Sequence, residues 1–314
     1  MDVSKLAGLN FQTQEELTEA LKKLFVEDID EYVRQCGEDK NFPFNPEILW
    51  VCLTDCIEAA GNFGQDYFFQ DLWAAREIYR SNVKHVYDIG SRIDGFIAHL
   101  LAMEVNVTML DIRPLPQKIE GLNFIQTDAM RMDNIADNSM ETISALCSFE
   151  HFGLGRYSDP IDYDGWKKAL HAVKRKMKVG GTFYLSVPVG PKNKVAFNAH
   201  RVFNPVTIAA EMLPEVTLHD FSYIADWKIN TCLNGDIEMT DLDSVAKTLP
   251  EIKNYGVTGL FTFKKHTVTP PVCLIIVLKF ILCLIYLKAV LKLEKFYMIS
   301  YRLQATSYRL IATS

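Results

Sequence analysis

The chain has 314 residues, enough for one large α/β domain with extensions or for two small ones, and its 49% hydrophobic and 23% charged residues exclude collagen, coiled coil and low-complexity scaffold. The formal net charge of −6 is unevenly spread: residues 266–314 carry six Lys and Arg against Glu294 alone, which leaves 27 against 38 acidic residues, a net of −11, in residues 1–265. An acidic body repels polyphosphates, so the expected partner is a small molecule and not a nucleic acid.

Seven cysteines, an odd number without a Cys-x-x-Cys pair, and a start (Met1-Asp2-Val3-Ser4-Lys5) without an apolar leader point to a reducing, cytoplasmic compartment. Thr13 and Glu16 form a capping box, after which Leu17, Leu21, Leu24, Phe25, Ile29 and Val33 recur at helical spacing until Gly37. Asn45 and Pro46 read as the N-cap and first residue of a second helix, Glu47 to Ala60, which would place Cys52 and Cys56 on one face as core packing rather than metal ligands. A third helix is expected over about Asp66 to Tyr79. Together these predict an N-terminal helical cap over residues 1–82.

From Lys84 short apolar runs alternate with longer segments. Lys84–Ile89, Val105–Leu110, Asn123–Gln126, Thr142–Cys147 and Thr182–Val187 are strand candidates, and Val216–Ile224 and Gly256–Phe263 complete a set of seven. The pattern predicts an α/β domain over 83–265, a doubly wound and mostly parallel seven-stranded sheet covered on both faces. Asn204-Pro205 opens a helix between the fifth and sixth strands. No histidine spacing suggests a metal site.

Residues 266–314 differ in kind. Val272–Leu287 is apolar except for Lys279, short of the ~20 apolar residues of a spanning helix and burdened by a mid-segment lysine. A membrane-associated segment, with lysines at the headgroups, and a tail with no membrane role fit it equally. The pattern leaves the oligomeric state open.

The chemistry concentrates after the first strand. In Val86-Tyr87-Asp88-Ile89-Gly90-Ser91-Arg92-Ile93-Asp94-Gly95-Phe96, Gly90 lets the backbone approach a ligand and the following amides offer donors. Asp111 closes the second strand about twenty residues on, where an acid can accept both ribose hydroxyls. Asp128 follows the third strand and suits an adenine amine. A dinucleotide turn fails because Arg92 occupies its second glycine position, and no Gly-Lys-Ser/Thr supports a P-loop. S-adenosylmethionine fits better, with Asp88 suited to its ammonium group. Ser91, Arg92, Ile112 and Ala129 complete the candidate cofactor set.

These phrases resemble the class I S-adenosylmethionine-dependent methyltransferases. Asp88-Ile89-Gly90-Ser91-Arg92-Ile93-Asp94-Gly95 looks like their D/E-x-G-x-G-x-G turn, and Asp111 and Asp128 match their ribose and adenine acids. Val179-Gly180-Gly181-Thr182-Phe183-Tyr184-Leu185 resembles the approach to their fifth strand. A nearer likeness is to a family of uncharacterised proteins found in nematodes and some bacteria, through Gln70-Asp71-Leu72-Trp73, Asp111-Ile112-Arg113-Pro114, Glu150-His151-Phe152-Gly153-Leu154-Gly155-Arg156-Tyr157 and Phe197-Asn198-Ala199-His200-Arg201.

The resemblance implies a Rossmann-like methyltransferase fold acting on a small-molecule acceptor, a sugar or other hydroxyl compound. A base should then lie past the fourth strand, and Glu150 and His151 are the candidates, with His200 behind them. Gly153 to Pro160 reads as a flexible loop over the acceptor, on which Arg156 would clamp an anion or be a plain surface arginine. Arg92 and Asp94 stand where the superfamily has glycines, so the competing expectation is a catalytically inactive binding or membrane-associated adaptor.

Overall fold

A computed structural model describes residues 1–37, 42–58, 65–235 and 237–267. The tail segment Val272–Leu287 lies outside the described residues, and among those described no helix is long and apolar enough to cross a membrane. The chain divides into two compact units, Met1–Gln65 and Asp66 onward.

In the first unit, α1 (Gln14–Cys36) starts at the expected box: Thr13 Oγ1 accepts the Glu16 N–H at 3.2 Å, and the Glu16 carboxylate reaches back to the Gln12 N–H at 2.7 Å. Gly37 ends it with a φ of 53°. The expected helix from Glu47 to Ala60 does not form. Asn45 still caps Glu47, yet only single 3₁₀ turns appear at Pro46–Ile48 and Asp55–Ile57, with extended chain between them. Trp50-Val51-Cys52-Leu53-Thr54 is rich in side chains that lose rotamer freedom in a helix, and one cap does not offset that. Cys52 and Cys56 therefore share no helical face.

The second unit opens with α2 (Gln65–Ser81), followed by β1 (His85–Ile89), a wide turn over Ile93–Ile97 running into α3 (Ala98–Ala102), β2 (Asn106–Asp111), β3 (Leu122–Gln126) and β4 (Met140–Leu146). Next come α4 (Gly165–Lys176), β5 (Met177–Val189), the small hairpin β6 (Lys194–Ala196) and β7 (His200–Val202), and α5 (Pro205–Met212), capped by Asn204 as anticipated. The chain continues through β8 (Val216–Ala225), β9 (Lys228–Asn234), α6 (Met239–Ala246) and β10 (Val257–Lys265).

The sheet order is β3-β2-β1-β4-β5-β10-β8-β9, with β1 to β5 mutually parallel. β10 runs antiparallel between β5 and β8, and β9 pairs antiparallel with β8 at the edge. This is the doubly wound, Rossmann-like architecture, with an eighth strand beside the expected seven. The strand order reverses between β1 and β4, the switch point where such sheets open a crevice at their carboxyl ends. No helix forms after β2 or β3, where Pro114, Pro116 and short turns carry the chain to the next strand.

Burial on both faces explains the long apolar runs. Ala74, Ala75 and Ile78 of α2 pack with Phe96, Leu100, Val86, Val107 and Leu146 on one face. On the other, α4, α5 and α6 cover Ile143, Phe183, Leu185, Phe221 and Phe261. Phe183, fully buried, sits between Phe149 and Phe263 at centroid distances of 5.9 and 6.1 Å. At the opposite end of the sheet from the strand tips, the buried Lys265 amine donates to the carbonyls of Lys174 and Met177 and to Asn138 Oδ1, which fixes the last turn of α4 to the end of β10.

Replacing Phe183 by Ala removes a ring from both aromatic contacts. The expected cost is about 3–5 kcal/mol of stability, read as a lower urea midpoint with an unchanged slope.

Candidate functional site

The glycine turn after β1 is held from below. Asp88 is fully buried, and its carboxylate accepts the Ser91 N–H at 3.0 Å, the Ser91 hydroxyl at 2.7 Å and the Ser144 hydroxyl of β4 at 2.7 Å. Ser91 Oγ in turn accepts the Leu146 N–H at 3.1 Å. Burial pushes Asp88 up to about 6 against these hydrogen bonds, which pull it down. Unlike its sequence neighbours, Asp88 therefore does not reach the cavity. It braces the turn where the sequence had suggested a ligand for an ammonium group.

Above it, Gly90 turns with a φ of 71°, and a Cβ there would lie 3.2 Å from Ser148. In the helical stretch beyond this turn α2 lays the Asp71 carboxylate against Gly95, where a Cβ would stand 2.3 Å from Asp71 Oδ2 and displace it. This contact sets α2 against the turn. The adjacent Gln70 carbonyl accepts from Ser186 Oγ at 2.8 Å and from Cys147 Sγ at 3.1 Å, which binds α2 to the tips of β4 and β5. Gln70-Asp71 is thus the support of the site.

Between the strand tips opens a cavity of about 880 Å³, lined by Gly90, Ser91, Arg92, Asp111, Ile112, Asp128, Ala129, Glu150, His151 and His200. Of the residues singled out from sequence, only Asp88 is off its wall. Tyr67, Arg113, Phe124, Met130, Tyr157 and Tyr255 line it too and carried no role in the sequence reading. Arg113 and Tyr157 stand inside phrases the resemblance had marked, whereas Tyr67 gave no signal beyond its place one turn before Gln70.

One end sets two carboxylates beside an apolar wall. Asp128 Oδ1 accepts the Met130 N–H at 2.8 Å, and Ile112, Phe124 and Ala129 supply apolar wall beside it. Asp111 is engaged: its two oxygens take the Arg113 guanidinium as a fork, at 3.0 and 2.7 Å, with the Arg113 N–H at 2.8 Å. The same guanidinium lies 4.5 Å from the centre of the Tyr157 ring. Arg92 forms a corresponding fork with Asp94, at 3.1 and 2.8 Å, and lies over Tyr67. Its side chain is 60% exposed, so it sits on the rim and leaves the volume below it open.

The other end holds the titratable groups. Glu150 is 3% exposed, and its Oε2 is the one buried side-chain oxygen or nitrogen among the described residues with no hydrogen-bond partner. Burial pushes this carboxyl up to about 8. His151 Nδ1 lies 2.6 Å from the Ala199 carbonyl, so Nδ1 carries the proton and donates, and Nε2, 3.5 Å from Glu150 Oε1, is left with its lone pair. Burial takes His151 down to about 4. At neutral pH both groups are uncharged. His200 donates Nε2–H to the Asn254 carbonyl at 3.1 Å, which leaves the lone pair on Nδ1, and its ring packs on Tyr255 along the same wall.

The segment after His151, expected to be a flexible loop, is pinned. The Asp159 carboxylate gathers the N–H groups of Gly153, Gly155 and Tyr157, and Arg201 donates to the carbonyls of Phe152 and Tyr163. Gly153 has a φ of 76°, and a Cβ on it would overlap the Asp162 carbonyl. Among the described residues no cluster of three His, Cys, Asp or Glu is placed to hold a metal ion.

The family described as "Caenorhabditis protein of unknown function, DUF268" matches residues 100–254. No curated protein matches the chain. Solved structures similar to it include the 1,6-didemethyltoxoflavin-N1-methyltransferase of Burkholderia thailandensis, with bound 1,6-didemethyltoxoflavin and S-adenosylhomocysteine, at 14% identity over 83% of this chain and 93% of that one, TM-score 0.43. The N-methyltransferase NodS of Bradyrhizobium japonicum, in complex with S-adenosylhomocysteine, is 10% identical over 64% and 88% of the two chains, TM-score 0.40. An S-adenosylmethionine-dependent methyltransferase of Archaeoglobus fulgidus is 15% identical over 62% and 94%, TM-score 0.39.

Asp88 gives the site a stability signature. A carboxyl raised from its ordinary 3.8 to about 6 binds its proton more tightly folded than unfolded, so its contribution falls as pH rises from about 4 to 6. Unfolding titrations of the wild type and Asp88→Asn should show the difference between them shifting in the variant's favour across that window and staying flat above it.

Proposed function

We propose that the second unit binds S-adenosylmethionine and transfers its methyl group to a hydroxyl of a small molecule. The observation that carries this is the unpartnered Glu150 Oε2, buried at one end of a cavity whose other end presents Asp111 and Asp128. The cavity also suits the cofactor by size: about 880 Å³ lies in the upper range of small-molecule sites and leaves room for an acceptor beside a nucleoside. Asp128 would take the adenine amine, Asp111 the ribose hydroxyls, and the backbone of Gly90 to Arg92 the amino-acid end. When bound, the cofactor supplies an electrophilic methyl carbon on a sulfonium.

What the chain must add is alignment and a place for the acceptor's proton. Glu150 Oε2 and His151 Nε2 are bare acceptors at that end. In the ionised form Glu150 takes the hydroxyl proton, while the Nδ1–H bond to Ala199 keeps His151 Nε2 turned inward to orient the same hydroxyl. His200 positions this end through Tyr255.

A second reading, a catalytically inactive binding protein, draws on one observation: the Asp111 carboxylate is already forked by Arg113. Calorimetry separates the two. In the enzymatic reading, S-adenosylhomocysteine binds and Asp111→Ala weakens it at least tenfold; affinity unchanged by that substitution supports the inactive protein.

Activity also carries a pH signature. With Glu150 ionising near 8, kcat should climb as pH rises through that value. Glu150→Gln should lower kcat by about 10²–10⁴-fold and abolish the climb, with S-adenosylhomocysteine affinity retained.

A further inference from the structure

The charges around the cavity do not cancel evenly. Arg92 is neutralised by Asp94, and Arg113 by Asp111. Asp159 is taken up by three backbone N–H groups. Arg156 is different: among the described residues no carboxylate lies within ion-pair distance of it, although its guanidinium lines the cavity. It is nonetheless held in place. Nη1 donates to the Ala199 carbonyl at 2.9 Å and stands 3.3 Å from His151 Nδ1, and the group lies 5.2 Å from the centre of the Tyr157 ring. The turn gathered by Asp159 fixes the backbone on either side.

A guanidinium has five N–H donors in a rigid fork. The bonds to Ala199 and the contact with His151 involve Nη1 alone, so the Nη2 and Nε edge, the geometry that grips an oxyanion with two parallel hydrogen bonds, has no partner among the described residues. The placement relative to the base is specific. Arg156 approaches His151 on its Nδ1 side and Glu150 on its Nε2 side, so one imidazole separates an unneutralised cation from the bare carboxyl oxygen.

We propose that the acceptor is a hydroxy acid, a small molecule whose carboxylate or phosphate is gripped by Arg156 while a hydroxyl a few atoms away is delivered to Glu150. This rests on the methyltransferase reading and adds to it the chemical class of the substrate. Arg156 is exposed at the mouth of the cavity, so a neutral polyol of the same shape would forgo the two parallel hydrogen bonds its open edge offers, and a site that holds a fork for an oxyanion favours ligands that carry one.

The test is calorimetry on the full chain, with and without S-adenosylhomocysteine, using three probes: D-glucuronate, D-glycerate and glycerol 3-phosphate. Each is compared with its uncharged counterpart, D-glucose or glycerol. The expected result is that at least one anion binds ten or more times tighter than its counterpart. Arg156→Gln should erase that preference, and Arg156→Lys, which keeps the charge without the fork, should retain part of it. S-adenosylhomocysteine affinity should be the same in all three proteins, which reports that the variants fold. Equal affinity within every pair, binding of none of the anions, or a preference that survives Arg156→Gln overturns the proposal. Absence of S-adenosylhomocysteine binding in the wild type, with an Arg156-dependent anion preference intact, would overturn the cofactor assignment and leave the anion site standing. Among the anions, glycerol 3-phosphate against glycerate distinguishes a phosphate from a carboxylate as the preferred group.

Discussion

The site depends on a carboxylate buried beneath its cavity wall. Desolvating Asp88 is costly, and it is tolerated because three hydrogen bonds converge on it from the turn and from β4. Those bonds join the two strands at which the sheet order reverses, so they set the width of the crevice and the angle at which Gly90 enters it. Asp71 stands on the outer side of the same turn, a buried acid on α2 whose carboxylate lies against Gly95, so that a side chain there would have to displace it. The turn is clamped between two acids, and the backbone amides of the cavity wall inherit their positions from that clamp.

The architecture was legible in the sequence because burial on both faces writes continuous apolar runs, and all seven expected strands form. The eighth was missed for a local reason. β8 and β9 are joined through Asp226 and Trp227, both at positive φ (52° and 59°), a turn whose usual mark is Asn-Gly or Asp-Gly. The failed helix after Pro46 is the converse case, a correct cap leading into residues that do not propagate. The segments after β2 and β3 hold no helix, since segment length says nothing about whether prolines and turns interrupt it.

Within the site, the strand-tip positions follow from topology, so Gly90, Asp111 and Asp128 could be placed from spacing, and Glu150 and His151 with the help of the resemblance, around one cavity. Spacing cannot convey direction. Asp88 and Asp111 both end strands, yet one points beneath the sheet's crevice and the other into it, and the distinction lies in serines 3 and 56 residues away from Asp88. The arginines were equally opaque. Their sequence neighbours do not reveal that Arg92 and Arg113 each fold back on an acid two residues away while Arg156 finds none among the described residues.

The antiparallel insertion of β10 has an effect on geography. Because it runs against its neighbours, it begins beside the crevice, where Tyr255 lines the wall, and finishes at the foot of the sheet, where Lys265 is fastened to α4. The polypeptide therefore departs from the pole opposite the opening. Any attachment made through the residues after 267 would hold the second unit by its base and leave the cavity's entrance facing away from it.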